Sequence, residues 1–146
     1  MGSNISSEIG TMRITEQIDA MEMMGVNSAN FLILPKLLSC TLLTPFLMLM
    51  SFILGIIGGY ITVVLTEVIN IADYVTGIRY WFIGFYVTYS CIKTAVFGFI
   101  IASISSFFGY YATGGSLGVG RSSTKAIVIS SALILIFDLI LTKLLL

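Results

Sequence analysis

The chain has 146 residues, 58% of them hydrophobic in addition to 14 Gly, and only 10% charged, against roughly 25% in soluble domains. A soluble domain of this length must cover its surface largely with polar groups that this composition lacks, so the folded chain is expected to have lipid as its solvent. Seven Lys plus Arg balance seven Asp plus Glu, His is absent and Cys40 and Cys91 stand far apart, which sets aside nucleic-acid binding, metal clusters and a disulfide framework.

Residues 1–36 read as a cytoplasmic region, to which the family resemblance given below adds a coupling role. No apolar stretch follows a basic start in the first 30 residues, so no secretory leader is expected. Thr15 to Met24 is expected to form a short helix, with Thr15 in the N-cap position, Glu16 and Asp19 in the first turn and Gly25 as the C-terminal cap. Ile14, Ile18 and Met21 recur at i, i+4 and i+7, while Glu16, Asp19 and Glu22 occupy other faces, so the helix is amphipathic and too short to span.

No charge occurs from Leu37 to Thr66, a run of 30 residues, where about 20 suffice to cross a bilayer core. Residues 37–66 are therefore the first span. Pro45 removes one backbone donor there and frees the Thr41 carbonyl, which predicts a kink. Gly55 and Gly59 form a GxxxG pair, with Gly58 between them, that lets another helix approach closely. The partner helix belongs either to this chain or to a second copy.

In the connection, 67–80, Val68, Ile71, Val75 and Ile78 repeat at helical spacing around Asn70, predicting a second short helix on the outer interface. Residues 81–108 form the second span, charged only at Lys93, with Trp81, Phe82, Phe85 and Tyr86 as an aromatic belt at its outer end.

Residues 109–125 read as a flexible cytoplasmic loop. Its GSLGVGRS stretch, Gly115 to Ser122, nearly matches a phosphate-binding loop, but Arg121 replaces the Lys and a membrane helix precedes it in place of a strand. Gly114, Gly115, Gly118 and Gly120 are expected to form a turn, with Arg121 and Lys125 meeting phospholipid head groups or a partner. Residues 126–146 are the third span, charged at Asp138 and Lys143.

Each apolar run is too long for a strand and lacks barrel alternation, so the fold class is an all-α integral membrane protein with three transmembrane helices plus a short cytoplasmic amphipathic helix. Arg13, Lys36, Arg121 and Lys125 flank one side, and Arg79 alone stands in the 67–80 connection. The positive-inside rule puts the N-terminus in the cytoplasm and the C-terminus outside, where Lys143 can snorkel. A charge near the bilayer centre costs at least about 2.5 kcal/mol. Lys93 and Asp138 lie at overlapping depths below the outer surface, so a buried ion pair between spans two and three is expected. The alternatives are a polar lining for a substrate path and snorkelling of Lys93.

Four stretches, Gly2 to Val26, Ile92 to Ala102, Gly118 to Val128 and Leu135 to Thr142, resemble in order the MlaE (YrbE) family of ABC transporter permeases. The EIGTMRITEQIDA stretch carries the most specific likeness. Asn27 and Ser28 depart from the Asp and Pro common in that family, so the exit from the coupling helix is expected to be shaped differently. The resemblance implies a phospholipid transporter subunit that maintains outer-membrane lipid asymmetry in the bacterial inner membrane. It implies a coupling helix around Thr11 to Met24, with Arg13, Glu16, Gln17, Asp19 and Glu22 facing a partner ATPase that binds the ATP. Its other implied partners are an MCE-domain lipid-binding protein and a second permease copy. It further implies a preceding interfacial helix and two membrane helices, so the 146 residues read as the C-terminal three-fifths of such a permease. No cofactor and no catalysis by this chain are expected. The competing readings are an intramembrane enzyme using Lys93, Asp138 or Cys91, and a non-transporting assembly subunit or inactive permease fragment.

Overall fold

The computed structural model describes residues 1–66 and 69–145, and among them it is all-α, with six helices and no strand. They are α1 (Gly2–Ile14), α2 (Gln17–Met23), α3 (Ser28–Thr66), α4 (Ile71–Trp81), α5 (Gly84–Tyr110) and α6 (Gly115–Leu145). Three of them, α3, α5 and α6, are long and apolar enough to cross a membrane, and α3 and α6 both pack on the central α5.

Large apolar side chains point outward. Leu42, Leu65 and Leu135 are 72%, 77% and 72% exposed, while the buried positions include Ser6, Ala102, Ser105, Ser106, Ala112 and Ala126. This inside-out distribution is the one expected of helices that associate in lipid, where close backbone approach replaces the hydrophobic drive. α3 and α5 approach closely at Gly98, where an added Cβ would stand 3.0 Å from the Cys40 carbonyl oxygen and would collide with the Thr44 hydroxyl. Thr44 Oγ1 itself sits 2.9 Å from Cys40 O and 3.1 Å from Thr94 O, joining the two helices.

Four local readings change in the folded chain. Thr15 does not open the short helix: its hydroxyl donates back to Thr11 O at 2.8 Å and so closes α1. The residue before α2 is Glu16, in the left-handed region at φ 58°. The first span's helix starts at Ser28, because Asn27 Oδ1 accepts the Asn30 N–H at 3.3 Å and Asn27 O the Phe31 N–H at 3.1 Å, as an N-cap residue does. It runs on through Pro35 and Pro45. Trp81 ends α4 and does not begin the second spanning helix, which starts at Gly84. Finally, residues 109–125 are mostly helix: only 111–114 lie between α5 and α6, Gly114 and Gly115 take positive φ, and Gly118, Gly120, Arg121 and Lys125 lie within α6.

Gly25 is the C-cap expected. At φ 78° it lets Val26 N–H reach Met21 O at 3.1 Å and its own N–H reach Glu22 O at 3.0 Å, the bond pair of a Schellman motif. The short connecting helix also forms, as α4. Tyr74 donates its hydroxyl to Ile56 O at 2.9 Å and folds α4 onto the C-terminal part of α3. Val68, part of that helix's expected apolar repeat, lies outside the described residues.

Candidate functional site

The end of the bundle at which α5 turns into α6 is closed by an element the sequence pattern did not announce. Helix α1 packs against both α5 and α6, burying Ile5, Ser6, Ile9 and Gly10. The contact is built from small residues. A Cβ on Gly109 of α5 would stand 2.7 Å from Ser6 O, and one on Gly10 would stand 2.9 Å from a Val119 methyl of α6. The hydroxyls of Ser6, Ser105 and Ser106 are buried in this part of the fold without a hydrogen-bond partner among the described residues. Unpaired buried hydroxyls of this kind forfeit about 1–3 kcal/mol each, so the seam is close-packed yet weakly held.

Ion pairs fasten α1 to its neighbours. Glu8 meets Lys36 of α3 at 2.7 Å, and Arg13 meets Asp19 of α2 at 2.6 Å across the Thr15–Glu16 elbow. Arg13 also lies over the Tyr110 ring, 5.8 Å from its centroid. Ile18 is fully buried beneath α2, so α2 has one anchored face and one open face.

The structure separates the expected coupling residues into two groups. Glu16 and Gln17 are exposed at the elbow, and Glu16 makes no ion pair among the described residues. Arg13, Asp19 and Glu22 are engaged within the chain. Glu22 accepts hydrogen bonds from Ser28 at 2.9 Å and from Tyr110 at 3.0 Å. The Ser28 and then the Tyr110 hydroxyl hold its carboxyl below the ordinary value of 4.5, with Arg13 adding to the effect.

A pH dependence follows. A carboxyl whose folded pKa is depressed gives its full contribution where it is ionised in both states, and that contribution fades as pH falls through the folded value. Cleavage of the α2–α3 connection by a broad-specificity protease should therefore rise as pH is lowered below 4.5. In Glu22→Gln the same cleavage should already be raised at neutral pH and should change little on acidification. An unchanged acid response in that variant would exclude Glu22 as the titrating group.

Within the membrane, Lys93 Nζ lies 2.5 Å from Asp138 Oδ1, joining α5 to α6. Tyr89 and Thr142 complete the cluster, each with a hydroxyl oxygen 3.3 Å from Lys93 Nζ. The GxxxG pair divides. A Cβ on Gly59 would strike the Tyr74 hydroxyl from α4, whereas Gly55 and Gly58 face open space in this chain. Lys143 lies in the last turn of α6, and Arg121 and Lys125 are exposed one turn apart near its start.

Sequence reasoning missed Glu8, Ser28, Lys36 as a partner of α1, Tyr89, Tyr110, Thr142 and the Gly98 and Gly109 crossings. One signal was available: Gly2, Ser6 and Gly10 stand at four-residue spacing, a small-residue repeat outside any apolar run. No group of three or more His, Cys, Asp or Glu side chains able to hold a metal occurs among the described residues.

Comparison with known proteins places these features in a family context. The family model described as Permease MlaE matches residues 1–144. A "Probable ABC transporter permease protein" of Rickettsia bellii is 40% identical, covering 99% of this chain and 56% of the relative. A protein of the same description from Synechocystis is 36% identical over 97% of this chain and 54% of the relative. The chloroplast protein named Trigalactosyldiacylglycerol 1 of Arabidopsis thaliana is 34% identical over 98% of this chain and 41% of its own length. The chain thus spans about half the length of the curated relatives it matches.

Proposed function

The chain belongs to the MlaE family of ABC transporter permeases, and we propose that it forms the part of a phospholipid permease that receives work from a separate ATPase and passes it to the membrane spans. The observation that carries this reading is the seating of α1 against both α5 and α6. A push on the exposed elbow at Glu16 and Gln17 reaches α1 through Arg13–Asp19, and α1 touches two spanning helices directly and a third through Glu8–Lys36. The chain supplies contacts and no catalytic group; ATP is held by the partner.

Phospholipid is the proposed cargo. The family and a relative named for a glycerolipid support that choice, as does a polar cluster of Lys93, Asp138, Tyr89 and Thr142 set among apolar helices. The proposed setting is the bacterial inner membrane, with the N-terminus cytoplasmic and the C-terminus periplasmic, supported by the basic residues at the α1 end. An MCE-domain lipid-binding protein is the proposed partner on the outer side. A second copy of the permease is the proposed neighbour of the open Gly55–Gly58 face.

Glu16→Lys tests the coupling contact without disturbing an internal ion pair. Reversing a charge in a protein interface should weaken ATPase retention by about tenfold, read as the amount of ATPase that co-purifies with the membrane complex. Lipid transfer between vesicles should fall in parallel. Retention and transfer both equal to the unaltered protein would remove Glu16 from the interface.

A further inference from the structure

One residue other than glycine takes a positive φ among the described residues, Glu16 at 58°. It stands where the chain leaves α1 and turns into α2, a position that glycine or asparagine ordinarily fills because a Cβ there crowds the backbone. The chain does use glycine for such turns elsewhere: Gly25 after α2 and Gly114 ahead of α6 both have positive φ. At the elbow it keeps a glutamate.

The local sequence does not call for a break. No Gly or Pro occurs from Thr11 to Met24, and Arg13, Glu16, Gln17, Ala20 and Met21 are strong helix formers. Left to itself this stretch would run α1 on into α2, offering the Gln17, Ile18 and Asp19 N–H groups the carbonyls of Arg13, Ile14 and Thr15. The bend is therefore imposed by contacts made farther along. Ile18 is fully buried in a cluster with Ile5, Ile9 and Cys40. Asp19 reaches back to Arg13, and Glu22 accepts hydrogen bonds from Ser28 and Tyr110. Asp19 and Glu22 are exposed, so competing contacts can replace theirs.

We propose that the α1–α2 elbow is a two-state hinge. In the bent state Ile18 is buried and Glu22 is held by Ser28 and Tyr110. In the joined state Glu16 enters the right-handed helical region, and α1 and α2 form one helix over Gly2–Met23. The left-handed Glu16 is the spring, since joining relieves its strain. Only Met24 to Asn27 link α2 to α3, so joining draws the first turn of α3 along. The hinge belongs to the chain and does not depend on the transport reading.

The test uses the full chain in lipid nanodiscs, with spin labels at Asn4 and Met23, both exposed. The labels enter as unnatural amino acids, which leaves Cys40 and Cys91 in place. A continuous helix sets the two positions about 28 Å apart, and a bend sets them closer. The unaltered chain should show mainly the shorter distance. Glu22→Gln with Tyr110→Phe should raise the ratio of long to short about tenfold. Adding Glu16→Gly to that pair should lower the ratio again about tenfold, because glycine takes the bent geometry without strain. A second measurement needs no label. Glu16→Gly should unfold at a higher temperature than Gln17→Gly, which places the same residue in the right-handed backbone of α2.

Four results would each overturn the hinge. Absence of a long distance in Glu22→Gln with Tyr110→Phe would mean that the elbow has one state. A broad distribution without a maximum near 28 Å would mean that α2 melts and does not join α1. An unchanged ratio on adding Glu16→Gly would mean that Glu16 does not drive the opening. Equal unfolding temperatures for Glu16→Gly and Gln17→Gly would mean that Glu16 carries no strain.

Discussion

Lys93→Met should destabilise the chain strongly, because it strands one member of an ion pair set between membrane-spanning helices. Asp138 has no other charged partner among the described residues, so its carboxylate would be left facing lipid. Asp138→Leu should do less harm, because Lys93 keeps the Tyr89 and Thr142 hydroxyl oxygens at 3.3 Å and lies over the Tyr89 and Phe97 rings. The double variant should recover most of the stability lost by either single change, since two apolar side chains need no compensating charge. Denaturant titration in detergent measures all three. Additive losses would mean that the two side chains do not stabilise each other. A well-folded double variant that transfers no lipid would assign the pair to the substrate path.

Gly109→Ala and Gly77→Ala should shift stability in opposite directions although the chemical change is the same. At Gly109 the new methyl would stand 2.7 Å from Ser6 O, 3.0 Å from Ile9 Cβ and 3.1 Å from Ser6 Cα. Two of these are backbone atoms that can yield only if α1 moves as a whole, so a loss of about 2 kcal/mol is expected. At Gly77, inside α4, nothing lies within 4 Å, and alanine should stabilise the helix by about 0.5–1 kcal/mol. Thermal unfolding gives both signs, and proteolysis at the Thr15–Glu16 elbow reports whether α1 has been displaced in Gly109→Ala. Equal small effects at both positions would mean that α1 does not seat against Gly109 in the membrane.

The three spans were legible because lipid imposes long uncharged runs, and α4 because its apolar residues recur at helical spacing next to Asn70. Helix α1 was not. Its buried face includes Gly2, Ser6 and Gly10, which carry no hydrophobic periodicity, and it docks by shape. The misplaced start of the coupling helix has a different cause. Thr15 can bond forward as an N-cap or backward to the preceding turn, and only the fold shows that it bonds to Thr11 O. The loop over 109–125 was overextended because glycines were taken as helix breakers. Two of them, Gly114 and Gly115, do take positive φ, but Gly118 packs within α6 against the Thr113 carbonyl. Among the site residues, Lys93 and Asp138 could be matched by depth along their spans. The engagement of Glu22 with Tyr110, 88 positions away, could not be read from local spacing.

The length of α3 has a mechanical consequence. Its 39 residues extend roughly 58 Å, almost twice the roughly 30 Å of a hydrocarbon core. Its crossing with α5 at Gly98 falls by Cys40 and Thr44, well short of the helix midpoint. A rod pivoting there has an N-terminal arm of about 20 Å and a C-terminal arm of about 35 Å, so a shift of about 3 Å at Ser28 becomes about 5 Å at Thr66. The short arm carries Lys36 and the connection to α2; the long arm carries the Tyr74 contact with α4. The chain therefore has the proportions of an unequal balance, with Gly98 as fulcrum. Filling Gly98 would push the two helices apart at this crossing.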